Sequence, residues 1–111
     1  MSKNILLGVT GSIAASKSEI LYDILSRENN VKVICTSAGK RYLSSKFLEN
    51  DNVYKSWDDL TGSPHIELAR WADKVLIYPA TVNFIAKMAM GIADDLLLST
   101  ILMHKNPLYI A

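Results

Sequence analysis

Asn4-Ile5-Leu6-Leu7-Gly8-Val9-Thr10-Gly11-Ser12 decides the reading of this chain. Residues 4–10 are short and apolar, as a buried strand is, and Gly11-Ser12 ends them. A helix is predicted over residues 13–27, with Ile20 and Ile24, and Leu21 and Leu25, four apart on one apolar face. Working outward, Asn29-Asn30 is a stop, and residues 31–35 are a second, β-branched strand closed by Thr36-Ser37-Ala38-Gly39. A second helix is expected over residues 40–48, a turn at Asn50-Asp51-Asn52, a short strand at Val53-Tyr54 and a loop from Trp57 to Pro64. Pro64 suits the first turn of a helix reaching Trp71. The pattern then gives a strand at residues 75–78 and a helix at 83–89 with Phe84, Ile85, Met88 and Ala89 on one face. Gly91 interrupts it, an apolar helix follows over 94–102, and a last strand covers 108–111. Strands alternating with helices predict a Rossmann-like, doubly wound parallel sheet in three α/β/α layers.

With 111 residues, the chain is read as a single domain, 1–111. Half of its residues are apolar, enough for a real core, and no run is long enough to span a bilayer. The formal charge of +1 gives no electrostatic case for nucleic acid or an anionic membrane. The single Cys35 excludes an internal disulfide, and its apolar neighbours Val31, Val33 and Ile34 make it a buried strand thiol. Lys3, Ile5-Leu6-Leu7 and Ala14-Ala15-Ser16 imitate a signal peptide. Gly8, Thr10, Gly11 and Ser12 break its apolar core, so a strand and a glycine turn are expected, in a cytoplasmic protein.

The residues that could carry chemistry lie in the turns. Gly8-Val9-Thr10-Gly11-Ser12 lacks the three glycines of a dinucleotide fingerprint, yet a glycine between strand and helix lets a phosphate approach backbone N–H groups. Ser12 is either a further ligand or simply an N-cap. Thr36-Ser37-Ala38-Gly39 ends the second strand at the same sheet edge, and two such turns together strengthen the phosphate reading. His65 precedes the strand at 75–78 and is either a proton-handling group or a structurally bonded histidine. Thr81 and Asn83 supply donors and acceptors for a planar polar ring, or cap the following helix. Asp94 and Asp95 are read as caps, and His104 as solvated. No His/Cys/Asp cluster has metal-ligand spacing, so no metal site is expected.

Taken in order, these pieces resemble the flavin-dependent cysteine decarboxylases, which include phosphopantothenoylcysteine decarboxylase and the lantibiotic peptidyl-cysteine decarboxylases. The family's first-turn element matches Gly11-Ser12-Ile13, and its second-strand loop Thr36-Ser37-Ala38. Its histidine, in a His-Ile/Val-x-Leu/Ile context, falls on His65. Its Pro-Ala-Ser-Ala-Asn-Thr motif falls on Pro79-Ala80-Thr81-Val82-Asn83-Phe84, and the stretch after it runs from Ile85 through Gly91 to Leu96. Thr81, Val82 and Phe84 replace smaller or more polar family residues, and Asp95 stands where asparagine is usual. The family's Pro-x-Met-Asn-x-x-Met-Trp motif would begin just after Ala111, so the expectation is a flavin site without a complete substrate clamp.

The resemblance implies FMN held by Gly11, Ser12, Ile13, Thr36, Ser37, Ala38, Thr81, Val82, Asn83 and Phe84, with His65 catalytic. It implies a homo-oligomer, trimer or dodecamer, with FMN between subunits. The implied reaction is decarboxylation of a cysteine carboxyl group, either in 4'-phosphopantothenoylcysteine during coenzyme A synthesis or at the end of a peptide. Direct loss of CO₂ would leave a carbanion with no electron sink. Oxidation of the Cβ–S unit to a thioaldehyde first places the carboxylate β to a C=S bond, and the cofactor supplies that chemistry. A flavin-binding or regulatory subunit without turnover is the alternative from another class.

Overall fold

The computed structural model describes residues 2–56 and 61–111. Its strands are β1 (Asn4–Val9), β2 (Asn30–Cys35), β3 (Val53–Tyr54), β4 (Lys74–Ile77) and β5 (Leu108–Ile110). They lie in the order β3-β2-β1-β4-β5, with every neighbouring pair parallel. The helices are α1 (Ser18–Ser26), α2 (Ser37–Lys40), α3 (Ser45–Leu48), α4 (Pro64–Trp71), α5 (Val82–Ala89) and α6 (Leu96–Met103).

Period-2 alternation divides the core between two faces. Leu6, Ile34, Val75 and Ile77 pack with Leu68 of α4, Phe84 of α5 and Leu97 of α6. Leu7, Val9, Val33 and Cys35 face the other way, toward Leu21 and Leu25 of α1 and Phe47 of α3. Both faces of the central strands are covered, which is why those strands read as continuous apolar runs. The three-layer α/β/α architecture expected from the sequence is therefore the observed one.

Local differences have physical reasons. The helix expected over 13–27 is divided: Ile13–Lys17 winds as a 3-10 helix, with Ala15 N–H bonded to Ser12 O at 2.8 Å, and α1 follows. Its four-residue pairs do not share one buried face. Leu21 and Leu25 pack inward, whereas Ile20 and Ile24 are 63% and 50% exposed. With Leu76 and Tyr78 these isoleucines line an apolar groove of about 420 Å³. The helix expected over 40–48 is likewise two short helices. Ser44 starts α3 by accepting Phe47 N–H at 3.2 Å, and the Glu19 carboxylate holds both Ser44 N–H and Ser44 Oγ at 2.8 Å. On α5, Phe84 is buried and Met88 half-buried, but Ile85 and Ala89 are exposed. Thr61 to Ser63 lie outside regular elements, and Trp57 to Leu60 of the expected loop fall outside the described residues.

Successive strands from β1 step one way across the sheet to β2 and β3, then β4 and β5 lie on the other side. The direction reverses between β1 and β4. Ligands of open α/β sheets bind outside the carboxyl ends of the strands at such a switch point.

Candidate functional site at the sheet switch point

A cleft of about 380 Å³ lies at this switch point. The turn after β1 contributes Thr10 and Gly11, and the turn after β2 contributes Thr36, Ser37 and Ala38. The turn after β4 and the start of α5 add Thr81, Asn83 and Phe84, and the α5–α6 corner adds Lys87, Asp94 and Asp95. The volume falls within the usual range for small-ligand sites. The apolar groove beside α1 has no comparable set of polar groups to orient a ligand.

The first two turns are pressed together. A Cβ on Gly11 would come within 2.3 Å of Ala38 Cβ, and one on Gly39 within 2.5 Å of Val9 O. Thr36 N–H donates to Val9 O at 3.0 Å, tying the second turn to the end of β1. Glycine at position 11 is thus required by close approach, and it leaves backbone amides with no side chain in front of them. Side chains satisfy only part of the helix starts. Thr36 Oγ1 accepts Gly39 N–H at 3.1 Å and Thr81 Oγ1 accepts Phe84 N–H at 3.2 Å. One cap satisfies one of several N–H groups that helix geometry leaves without an intrahelical partner. The remainder suit an anion, and the cleft's hydroxyls and the Asn83 amide suit a polar ring. This donor set fits a phosphorylated planar cofactor such as FMN.

Seven of the expected site residues line the cleft together: Gly11, Thr36, Ser37, Ala38, Thr81, Asn83 and Phe84. Four do not line it. Ser12 takes the capping role, accepting Ala14 N–H at 3.2 Å. Ile13 and Val82 are 80% and 84% exposed beside the cleft. His65 is the second residue of α4. Because β3 and β4 run parallel, α4 returns across the sheet, so His65 stands at the same carboxyl edge as the cleft. Thr81, not Asn83, caps α5.

The charged end of the cleft differs from the sequence expectation. Asp95 caps α6, accepting Leu98 N–H at 2.8 Å, but Asp94 does not cap; it pairs with Lys87 Nζ at 2.7 Å. Burial pushes the Asp95 carboxyl above its ordinary range, and the neighbouring Asp94 charge adds to the effect. The hydrogen bond to Asp94 holds the Lys87 ammonium above its ordinary range. His104, expected to be solvated, is half-buried, with Nδ1 3.1 Å from Ala69 O and Nε2 3.3 Å from Pro107 O, so its N–H donates to one of these carbonyls. Cys35 is the buried strand thiol expected, 3.7 Å from Tyr54 O, and desolvation pushes its pKa up. Among the described residues no group of three His, Cys, Asp or Glu could hold a metal ion. Among them, too, no helix is long and apolar enough to cross a membrane.

Thr10 and Lys87, which line the cleft, were missed by sequence reasoning. For Thr10 and Lys87 a signal was available: one is the last residue before the first glycine turn, the other lies on α5 one helical turn past Asn83.

A parallel sheet with a polar cleft between the turns at its switch point is the architecture of the doubly wound α/β proteins, which take their ligands at that place. The chain belongs to the Flavoprotein family, whose model matches residues 1–111. It is 39% identical over 116 residues to the coenzyme A biosynthesis bifunctional protein CoaBC of Vibrio cholerae, covering 98% of this chain and 29% of that protein. Among solved structures it resembles the FMN-dependent cysteine decarboxylase SpaF, with 32% identity and a TM-score of 0.88, covering 98% of this chain and 67% of that one. It also resembles a PPC decarboxylase variant complexed with pantothenoylaminoethenethiol, with 29% identity and a TM-score of 0.86, covering 100% of this chain and 66% of that one. The chain thus spans about three tenths of the length of the curated relative it matches.

Proposed function

We propose that this chain binds FMN in the switch-point cleft and serves the decarboxylation of 4'-phosphopantothenoylcysteine to 4'-phosphopantetheine in coenzyme A synthesis. The observation that carries the reading is the pair of interlocked turns at residues 10–12 and 36–39, set opposite Thr81 and Asn83. Two relatives support it: one named for coenzyme A biosynthesis and one solved as a PPC decarboxylase.

Gly11, Ser12 and Ile13 offer backbone N–H groups to the phosphate, joined by those of Ser37 and Ala38 from the second turn. Thr36 borders the phosphate without its N–H, which is held by Val9 O. Thr81, Val82, Asn83 and Phe84 border the ring. The exposed side chains of Ile13 and Val82 give the ring apolar cover at the cleft mouth. When bound, FMN supplies the two-electron oxidation of the cysteine Cβ–S unit that lets the electrons released with CO₂ delocalise onto sulfur. His65, at the same sheet edge, binds the substrate or takes its proton as a general base. The reading places the protein in the cytoplasm as a homotrimer or larger assembly, with subunits meeting around the cofactor.

A second reading, decarboxylation of a peptide's carboxyl-terminal cysteine, is favoured by the 32% identity to SpaF. The two are separated by incubating FMN-loaded protein with 4'-phosphopantothenoylcysteine and, separately, with a cysteine-ended peptide, following CO₂ release by mass spectrometry. The first reading expects turnover of the phosphorylated substrate. Turnover of the peptide alone overturns it in favour of the second, and FMN uptake with neither reaction points to a flavin-binding subunit.

A further inference from the structure

A buried hydroxyl costs free energy unless its proton and lone pairs find partners. Among the described residues the buried polar side chains are Thr10, Ser18 and Thr100. Thr100 turns back on its own helix, donating to Leu96 O at 2.8 Å. The other two converge on one short segment, the turn leaving β4. Thr10 Oγ1 donates to Pro79 O and accepts Thr81 N–H at 3.1 Å, while Thr10 N–H also meets Pro79 O, at 3.3 Å. Ser18 Oγ donates to Tyr78 O at 3.3 Å.

Valine would fill the space of Thr10, and alanine most of that of Ser18, with no polar group to satisfy. The hydroxyls therefore serve geometry rather than packing. Beyond the end of β4 the backbone is still tied by Tyr78 N–H to Gly8 O at 2.8 Å, Thr10 N–H to Pro79 O and Ala80 N–H to Ala111 O at 3.0 Å. These two side chains add bonds at Tyr78 O, Pro79 O and Thr81 N–H. The segment they hold leads directly into Thr81 and Asn83, which form one wall of the cleft. Thr10 also adjoins Gly11, so its hydroxyl ties the turn after β1 to the turn after β4, both of which line the cleft.

We propose that Thr10 and Ser18 are positioning residues: together they clamp the turn after β4 and thereby fix where Thr81 and Asn83 stand in the cofactor cleft. The clamp is made by this chain's own side chains and backbone. Its consequence for binding rests on the FMN reading above.

Three variants test it, Thr10→Val, Thr10→Ser and Ser18→Ala, with two readouts. Hydrogen exchange at Thr81 N–H in the FMN-free protein reads the clamp itself. FMN affinity, with the visible-region circular dichroism of the bound flavin, reads its consequence. Thr10→Val is expected to speed Thr81 exchange and to weaken FMN binding by about tenfold each, the scale of one lost buried hydrogen bond. It should also change the flavin spectrum, while Thr10→Ser restores all three and Ser18→Ala shifts them the same way by less. If Thr10→Val fails to fold, the other two decide: Ser18→Ala must still loosen the turn, and Thr10→Ser must match the native protein. Native exchange in both Thr10→Val and Ser18→Ala overturns the clamp, as does Thr10→Ser behaving like Thr10→Val. Exchange changes as expected in a protein that takes up no FMN uphold the clamp and overturn the FMN reading instead.

Discussion

Asp95 meets two opposing demands at one carboxyl group. It caps α6 through Leu98 N–H, which favours the ionised form, yet burial and the Asp94 charge penalise that form more. Its folded-state pKa is raised, so between the ordinary value of 3.8 and the raised one the folded protein holds more protons than the unfolded chain. Stability from this group is complete below the ordinary carboxylate range and is lost as pH rises through the raised value. Asparagine keeps the capping oxygen without the charge. Asp95→Asn is therefore expected to raise Tm at neutral pH, with the gain fading as the solution is acidified through that window. Asp95→Ala, which removes the cap, should cost about 1 kcal/mol in denaturant unfolding. A Tm gain of Asp95→Asn that is independent of pH would refute the desolvation argument. His65 is tested through chemistry instead. His65→Asn in FMN-loaded protein should keep the flavin and lower decarboxylation by ~10²-fold, the scale of a positioned acid–base group. Unchanged turnover would make the residue structural.

Residue identity was legible where the backbone itself dictated it. Gly11 and the Thr36-Ser37-Ala38 turn were found because strand ends with glycine and hydroxyl residues are rare enough to notice. Ser12, Thr81 and Asn83 each admitted two roles, because a capping oxygen and a ligand oxygen look the same in sequence. Only the bonds to Ala14 N–H and Phe84 N–H assign caps to the first two and leave Asn83 to the cleft. Lys87 escaped because its partner, Asp94, lies beyond the helix end, where no i,i+4 pattern applies.

At the scale of elements, the corner between α5 and α6 sets the charged end of the cleft. Gly91 has φ +71°, its N–H bonds to Met88 O at 3.1 Å, and Ile92 N–H bonds to Lys87 O at 2.9 Å. These are the paired bonds of a Schellman helix stop, which needs a left-handed residue at this position. An added Cβ would meet nothing within 4 Å, so the requirement for glycine is conformational, not a need for room. Gly91→Ala should thus destabilise the protein by about 1–2 kcal/mol, and Gly91→Asn by less, since asparagine tolerates the left-handed region. Equal losses in urea unfolding would point to a cause other than φ. The same distinction explains which helix boundaries could be read in advance. The stop at Gly91 and the start at Pro64 are marked by residues with restricted or unusual backbones. The division of residues 13–27 and 40–48 is not marked that way. It comes from tertiary ties, Ser18 to Tyr78 O and Glu19 to Ser44, between residues distant in sequence.

For the molecule as a whole, the reversal of strand order between β1 and β4 brings the separate turns into one place. No single turn is a site: the first lacks a dinucleotide fingerprint, the second is a four-residue helix start, and the third is a capped helix. The parallel sheet aligns their strand ends, and because every strand runs the same way the helices that follow β1, β2 and β4 start at that same edge. This much followed from alternating strands and helices. The exposure of Ile20 and Ile24 did not, since periodicity names an apolar face without saying what covers it.

The central claim is that these turns form a mononucleotide site whose affinity comes largely from phosphate. The direct measurement is a set of equilibrium titrations of the purified protein with FMN, riboflavin, FAD and NAD, followed by flavin fluorescence or, for NAD, by calorimetry. FMN is expected to bind near-stoichiometrically, with riboflavin weaker by about tenfold or more because it lacks the charge-assisted bonds to the two turns. Riboflavin binding as tightly as FMN, or retention of FAD or NAD without FMN, would contradict it.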